Sequence, residues 1–281
     1  MKLEMVKNIQ IDKIEQLEEL IWDQERDIKI ERNRSKCLYR GLPNENFHLV
    51  TSLKRNCKEK REELELPILR NFTKYAELED PALRTSVWQQ MIVGQHHGLP
   101  TRLLDWTYSP LVALHFATSG EALREMESEN CILWKIDIDE LNGLLPDKYR
   151  NMLLKKRNKA YLMTIDMLDE LLKMQDAVTQ YDLDMVNKAL VLLEPPSIDQ
   201  RIINQYSYFS IIPAGMEHTY DDFGIEQFLE EQTSRTVKYT ISAKLKWRIR
   251  DMLDHMNMNE RIMFPGLDGL SKWLTRHYYV K

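Results

Sequence analysis

Apolar residues recur at helical spacing near the start of the chain. Ile11, Ile14, Leu17, Ile21 and Trp22 fall on one side of the stretch Ile9–Ile28, with Asp12 near its beginning. This predicts an amphipathic opening helix and a helical N-terminal segment over residues 1–35. Cys37-Leu38-Tyr39-Arg40 is short, β-favouring and ends at Gly41, so it reads as a strand. Phe47–Leu53 alternates weakly and reads as a second extended piece. Lys54–Glu79 is helical by composition, with a break expected near Pro67. Leu83–His97 is another helix, with Trp88, Met91 and Ile92 on one side, stopped by Gly98 and Pro100.

The most unusual stretch is Gln95–Ala117, QHHGLPTRLLDWTYSPLVALHFA. It is polar and then turns abruptly apolar. Ser109-Pro110 reads as a helix start, a hydroxyl at the N-cap and Pro at the first helical position. Leu111, Val112, Ala113, Leu114, Phe116 and Ala117 then cover nearly the whole circumference of the helix, which is therefore buried. A polar loop pinned by a buried helix is a common place for a binding or catalytic site.

Cys131–Ile138 (CILWKIDI) reads as a central strand. Pro146–Leu193 is rich in Leu, Met, Lys and Asp and poor in β-branched residues; it reads as two or three helices inserted at about 146–194, packing beside the core. Its methionines, among them Met152, Met163 and Met167, suit adaptable packing. Pro195-Pro196 ends the insertion. Asp199 caps a short helix through Asn204, and Tyr206–Ile212 and Val237–Ile241 are strands. Ser242 opens a helix carrying Leu245, Trp247, Ile249 and Leu253, and a last helix follows Asp268. Short, non-sequential strands among long helices define an α+β class.

Composition narrows the setting. With 281 residues, 43% hydrophobic and 30% charged, the chain can bury one large core and belongs among globular proteins. A net charge of -5 gives no global basic field for nucleic acid. Two local runs, Lys54–Arg61 and Lys155–Lys159, can be docking surfaces or, as such runs usually are, solvated helix faces. Cys37, Cys57 and Cys131 have no metal-type spacing and suit a reducing compartment. The N-terminus lacks the apolar core of a signal peptide, and no apolar run approaches the roughly 20 residues that span a bilayer. A cytoplasmic location without a membrane partner is expected.

The polar loop offers several chemistries. Arg102 and Asp105 can pair with each other or face a ligand. His96 and His97 point about 100° apart on a helix end, so at most one faces a pocket, as base or phosphate partner; each can instead cap the helix C-terminus. Trp106 can stack on a planar ring or fill the core. No metal is expected, because no third clustered ligand is visible and His115 sits on the buried helix.

Several motifs resemble those of the FRG domain family. Tyr39-Arg40-Gly41 matches the (F/Y)-R-G tripeptide, and Thr51-Ser52-Leu53-Lys54-Arg55 looks like the following S-L-x-R segment. Gln95–Thr107 with Ser109-Pro110 is the central signature. Arg201-Ile202 with Gln205 and Phe209, and Phe264–Leu270, resemble the late segments. On this resemblance the FRG domain is placed at 36–281, in a toxin or antiphage defence setting.

The order of elements is also similar to the ADP-ribosyltransferase fold, a small split sheet surrounded by helices. In that superfamily's Arg-Ser-Glu branch, an Arg at a strand end holds a phosphate of NAD, a Ser/Thr segment shapes the nicotinamide pocket, and a late Glu binds the ribose. Residue by residue, Arg40 falls at the first position, Thr107 and Ser109 at the second and Gln205 at the third. Gln205 carries no charge to balance a developing cation, so Asp105 or Glu194 is the alternative source. The resemblance thus implies Arg40, Gln205, Asp105 and His97 as catalytic candidates. Tyr39, Gly41, His96, Thr101, Arg102, Trp106, Thr107, Ser109 and Arg201 are candidates for binding NAD, with Gly41 letting the backbone approach the ligand. The expected activity is ADP-ribose transfer to a protein or nucleic acid, or NAD glycohydrolysis. A non-catalytic nucleotide- or protein-binding module and a metal-independent phosphodiester hydrolase using His97 and Asp105 stand as alternatives.

Overall fold

The computed structural model describes residues 6–22, 26–28, 30–120, 122–156, 161–186, 188–219 and 224–281. Residues 1–5, 23–25 and 29 of the expected N-terminal helical segment, and Arg157–Lys159 of the second basic run, lie outside the described residues.

The strands are β1 (Lys7–Ile11), β2 (Arg26–Asp27), β3 (Arg32–Asn33), β4 (Cys37–Leu42), β5 (Leu103–Thr107), β6 (Cys131–Asp137), β7 (Met163–Thr164), β8 (Val191–Glu194), β9 (Ser207–Ile211) and β10 (Val237–Ile241). β2 and β3 pair with each other. The other eight form one mixed sheet in the order β1-β10-β6-β4-β5-β9-β8-β7. β1 lies parallel to β10 and β7 parallel to β8; the remaining pairs are antiparallel. With helices packed around this sheet, the fold is α+β.

The sheet is not evenly stitched. β4 pairs with β6 along its whole length, Cys37 opposite Asp137 through Leu42 opposite Ile132. β5 pairs just as fully with β9. Between β4 and β5 one pair is formed, Tyr39 opposite Thr107. The two halves therefore splay apart on one side of that pair, and the Arg40 guanidinium spans the gap.

Four local expectations change. The chain opens with a strand, β1, and not with a helix: Ile9 and Ile11 also fit a period of two, and β10 offers a partner edge. Helix appears only at Leu17–Trp22, where Leu17, Leu20 and Ile21 are buried. The loop after Pro100 contains β5, whose alternation of buried Leu104 and Trp106 with Asp105 is hidden by flanking polar residues. Pro67 does not break its helix, which runs Arg61–Ala76; the break lies at Lys58, which takes a left-handed φ of 49°. The 146–194 stretch supplies helices Asp147–Lys156, Ile165–Leu171 and Ala177–Met185 but also two sheet strands, β7 and β8.

The core has three parts. Trp88, Tyr149 and Tyr181 centre the first, where the helices of 146–194 meet β5, β8 and β9. Trp106, Trp134 and Phe228 belong to the second. The third joins the N-terminal strand and helix to the Pro110–Ala117 and Lys246–His255 helices. Pro110–Ala117 is capped by Ser109, whose Oγ accepts from the Val112 N–H at 3.4 Å, and it packs on the Tyr39/Gly41 side of β4. A Cβ on Gly41 would lie 2.0 Å from the Ala113 carbonyl oxygen and 2.5 Å from the Ala117 nitrogen. The glycine of the Tyr-Arg-Gly tripeptide is thus required for helix-on-strand packing.

Candidate functional site

A cavity of about 1090 Å³ opens where β4 and β5 part. That is slightly above the roughly 300–1,000 Å³ usual for small-molecule sites. β4 supplies Tyr39, Arg40, Gly41 and Leu42, and β5 supplies Asp105, Trp106 and Thr107. The facing wall is Arg201, Gln205 and Ser207, and the rim is Lys54, Arg55, Lys58 and Glu59. Among its lining residues the cations are Arg40, Lys54, Arg55, Lys58 and Arg201, against the carboxylates of Glu59 and Asp105. A chain with net charge -5 thus concentrates positive charge in this cavity.

Arg40 holds the split together. Its Nη1 donates to the Asp105 carbonyl oxygen at 2.5 Å and to Asp105 Oδ2 at 3.4 Å. Its Nε is buried without a hydrogen-bond partner. Asp105 Oδ2 receives a second donor, the Gln95 Nε2 at 3.1 Å. The orientation of the Gln95 amide follows from its surroundings. Thr101 Oγ1 accepts from the Leu103 N–H at 3.1 Å and so gives its own proton to Gln95 Oε1 at 2.6 Å. Ser52 Oγ accepts from the Thr101 N–H at 3.0 Å and also reaches Gln95 Oε1, at 3.4 Å. The Gln95 oxygen faces these hydroxyls, and its NH₂ therefore faces the carboxylate. Asp105 is fixed through Oδ2, while its side chain remains half exposed to the cavity.

Gln205 lines the same cavity. Its Nε2 donates to the Met263 carbonyl at 2.9 Å, and its own backbone oxygen accepts from Thr107 Oγ1 at 2.8 Å. The next residue, Tyr206, is left-handed, φ 50° and ψ 50°, unusual for a bulky side chain. This turn ends the Gln200–Gln205 helix, N-capped by Asp199, and starts β9 so that both Gln205 and Ser207 face the cavity. Arg201 lies over the Phe264 ring, 5.1 Å from its centroid, and donates to the His96 carbonyl at 3.3 Å. Tyr39 is buried against Ser35, 3.3 Å from its Oγ, and burial pushes its phenol up to about 12.

Arg40, Asp105, Thr107 and Gln205, far apart in sequence, thus line one cavity, with Tyr39, Gly41, Trp106 and Arg201. Other candidates lie elsewhere. Arg102 is 4% exposed and forks onto Glu65, its Nε 2.7 Å from Oε1, while its Nη1 donates to Asp182 at 2.6 Å. It ties three distant segments together, is not paired with Asp105 and does not line the cavity, its guanidinium being taken by Glu65 and Asp182. Thr101 stands behind Gln95. Ser109 is spent as an N-cap. Trp106, although it borders the cavity, is 3% exposed and donates its Nε1 to Ser210 Oγ at 2.9 Å, a core tryptophan. His97 is exposed at the helix C-cap, and His96 pairs with Asp199; neither is a lining residue. Burial, with the Arg201 and His97 charges, keeps His96 below its ordinary value despite Asp199. His97 and Asp105 do not share a site. Glu194, at the end of β8, is not a lining residue either.

The residues that sequence reasoning passed over are Gln95, Lys54, Arg55 and Lys58. The run Lys54–Arg61 reads from the sequence as either a docking surface or a solvated helix face, and Lys54, Arg55 and Lys58 of it line the cavity. Its signal was Thr51, which N-caps Ser52–Cys57 by accepting from the Lys54 N–H at 3.1 Å and so fixes the helix whose side chains form the rim.

The α+β domain thus carries, at a split in its sheet, a cavity whose lining includes five cationic side chains and two carboxylates. Residues 35–125 match the FRG domain family, and the chain carries an FRG domain there. The segments around Arg201–Phe209 and Phe264–Leu270 lie outside the matched residues. No curated protein and no solved structure matches the chain. Among the described residues no group of three His, Cys, Asp or Glu could hold a metal ion, and no helix is long and apolar enough to cross a membrane.

Proposed function

We propose that the cavity binds NAD or a related nucleotide, and that the protein breaks the nicotinamide–ribose bond, passing ADP-ribose to a macromolecule or to water. The observation that carries this reading is the convergence of Arg40, Asp105, Thr107 and Gln205 on one cationic cavity. Arg40 offers a guanidinium fork suited to a phosphate. Asp105 supplies the carboxylate that Gln205 lacks. As the glycosidic bond loosens, positive charge grows on the ribose, and a fixed carboxylate beside it lowers the barrier. Arg40 and Gln95 set that carboxylate in place before substrate arrives. Gln205, its amide nitrogen held by the Met263 carbonyl, presents Oε1 to a ribose hydroxyl.

One observation favours a second reading, a nucleotide-binding module without chemistry. Asp105 Oδ2 already has two donors, and the Gln205 nitrogen is committed to a backbone carbonyl. Nicotinamide release, measured alongside NAD affinity by calorimetry, separates the two. Arg40→Ala should weaken NAD binding about ten- to a hundred-fold, the roughly 1.5–3 kcal/mol of a charge-assisted hydrogen bond. Asp105→Asn should lower turnover more than affinity. Gln205→Glu should be costly, since it leaves the Met263 carbonyl without its donor. Binding without release, with Asp105→Asn harmless, establishes the module; no NAD binding at all removes the nucleotide reading.

A further inference from the structure

We propose that Arg40 and Arg55 form a two-guanidinium clamp for a diphosphate, so that the cavity selects ligands with two linked phosphate groups over those with one. The proposal deepens the nucleotide reading, on which it rests for its biological ligand, but it does not require that NAD be cleaved.

The two arginines arrive from separate motifs, Tyr39-Arg40-Gly41 on β4 and Ser52-Leu53-Lys54-Arg55 on the helix Ser52–Cys57, and both line the same cavity. Arg40 meets one carboxylate, the half-exposed Asp105 at 3.4 Å, and Arg55 meets none among the described residues. Arg40 uses Nη1 on Asp105, and its buried Nε has no partner. Arg55 donates Nη1 to the Val50 carbonyl at 2.5 Å, and among the described residues no carboxylate pairs with it. The contrast with Arg102, Arg250 and Arg276 is direct: each of those is almost wholly buried and meets at least one carboxylate. The charged groups facing Arg55 are Arg40, Asp105 and Glu217. Glu217 is already taken by the Thr51 hydroxyl at 2.6 Å and lies 3.7 Å from Arg61. Burial and the adjacent Arg40 charge hold the Arg55 guanidinium below its ordinary value. Two like charges kept together at a cavity wall, with donors to spare, call for an anion between them.

One phosphate can be gripped by one fork. Two linked phosphates can occupy both forks at once, and the second contact then forms without a further loss of translational freedom. Lys54 and Lys58 extend the positive rim beside them.

The test is calorimetry on the full chain with inorganic pyrophosphate and inorganic phosphate as probes, at fixed ionic strength. Pyrophosphate should bind at least about tenfold more tightly than phosphate. Arg55→Ala should remove most of that preference while leaving phosphate binding nearly intact. Arg55→Lys should restore only part of it, because an ammonium has no fork. Arg55 keeps part of its side chain in solvent and makes no ion pair among the described residues, so both variants should melt near the wild-type temperature, and melting curves verify this. Equal affinity for the two probes overturns the clamp, as does a preference unchanged in Arg55→Ala. Pyrophosphate selectivity in a protein that never releases nicotinamide leaves the clamp standing and removes the transferase reading. Nicotinamide release without pyrophosphate selectivity does the reverse.

Discussion

Gly41→Ala tests the packing on which the cavity depends. The added Cβ would meet the Ala113 carbonyl oxygen at 2.0 Å, the Ala117 nitrogen at 2.5 Å and the Ala117 Cβ at 2.9 Å. Two of these are backbone atoms of the buried Pro110–Ala117 helix and cannot rotate away. Reaching ordinary contact at 3.4 Å requires the helix or β4 to withdraw by roughly 1.4 Å. Overpacking of a tight interior costs about 1–3 kcal/mol, and rigid backbone on the far side places this case at about 3 kcal/mol. For a chain of this size that lowers the melting temperature by about 6–12 °C. The helix also carries Ala113 and Phe116 into the cavity wall, so pyrophosphate affinity should fall with stability. Gly143→Ala is the control: nothing lies within 4 Å of its Cβ, and it sits in the helix Ile138–Leu144, where alanine should stabilise by about 0.5–1 kcal/mol. Both variants can be followed by thermal melting and urea denaturation. A Gly41→Ala protein that melts within 1 °C of wild type, about 0.3 kcal/mol, would falsify the argument.

Three further outcomes follow from buried groups. Arg102→Met should lose about 3–5 kcal/mol in urea unfolding, because Glu65, 3% exposed, is left without its partner; unchanged stability would mean that the ion pair is not structural. Gln95→Leu should cost about 1–3 kcal/mol by leaving the Thr101 hydroxyl, 1% exposed, without an acceptor, and a wild-type urea midpoint would refute that. His115 is held neutral, its pKa lowered from 6.5 to about 3 by burial and by Arg250, whose Nη1 lies 3.0 Å from its Nδ1. The unfolded chain binds this proton below pH 6.5 and the folded chain does not, so stability falls as pH drops from 6.5 toward 3. At pH 4 the loss is about 3 kcal/mol. Glu260, lowered to about 2 despite its burial by hydrogen bonding to Arg276 and the Arg250 charge, adds a loss in the same direction below pH 4.5. Urea midpoints at pH 7 and pH 4 for wild type and His115→Gln should show a smaller acid loss in the variant; equal losses would exclude His115 as a source.

Much of the helical layout was legible because its signals are local. Ser109-Pro110, Asp199 and the all-round apolar run after Pro110 each specify an end or a burial without help from distant residues. The strands were harder. Leu103–Thr107 has two buried positions either side of an aspartate and becomes a strand only because β9 runs beside it. Ile9 and Ile11 fit either period, and the edge of β10 decides between them. The site divides in the same way. Arg40 and Gln205 could be named from motifs, and the structure puts both at the cavity. The pairing of Arg102 cannot be read locally, because its partners, Glu65 and Asp182, are remote in sequence. Arg55 sits in a basic run that looks solvated in the sequence, and only the fold puts it at the same cavity as Arg40.

The order of strands bears on where this domain can be cut. Residues 35–125 include β4 and β5, but the long partner of β4 is β6 and that of β5 is β9, and both lie beyond residue 125. A fragment trimmed to the matched boundaries would keep two strands that scarcely bond to each other and would expose both of their outer edges. Such edges recruit other chains, so the fragment should associate or precipitate rather than fold. The matched residues are the middle of a larger hydrogen-bonded unit. The smallest piece worth expressing extends past Ile211, whose backbone closes the other edge of β5.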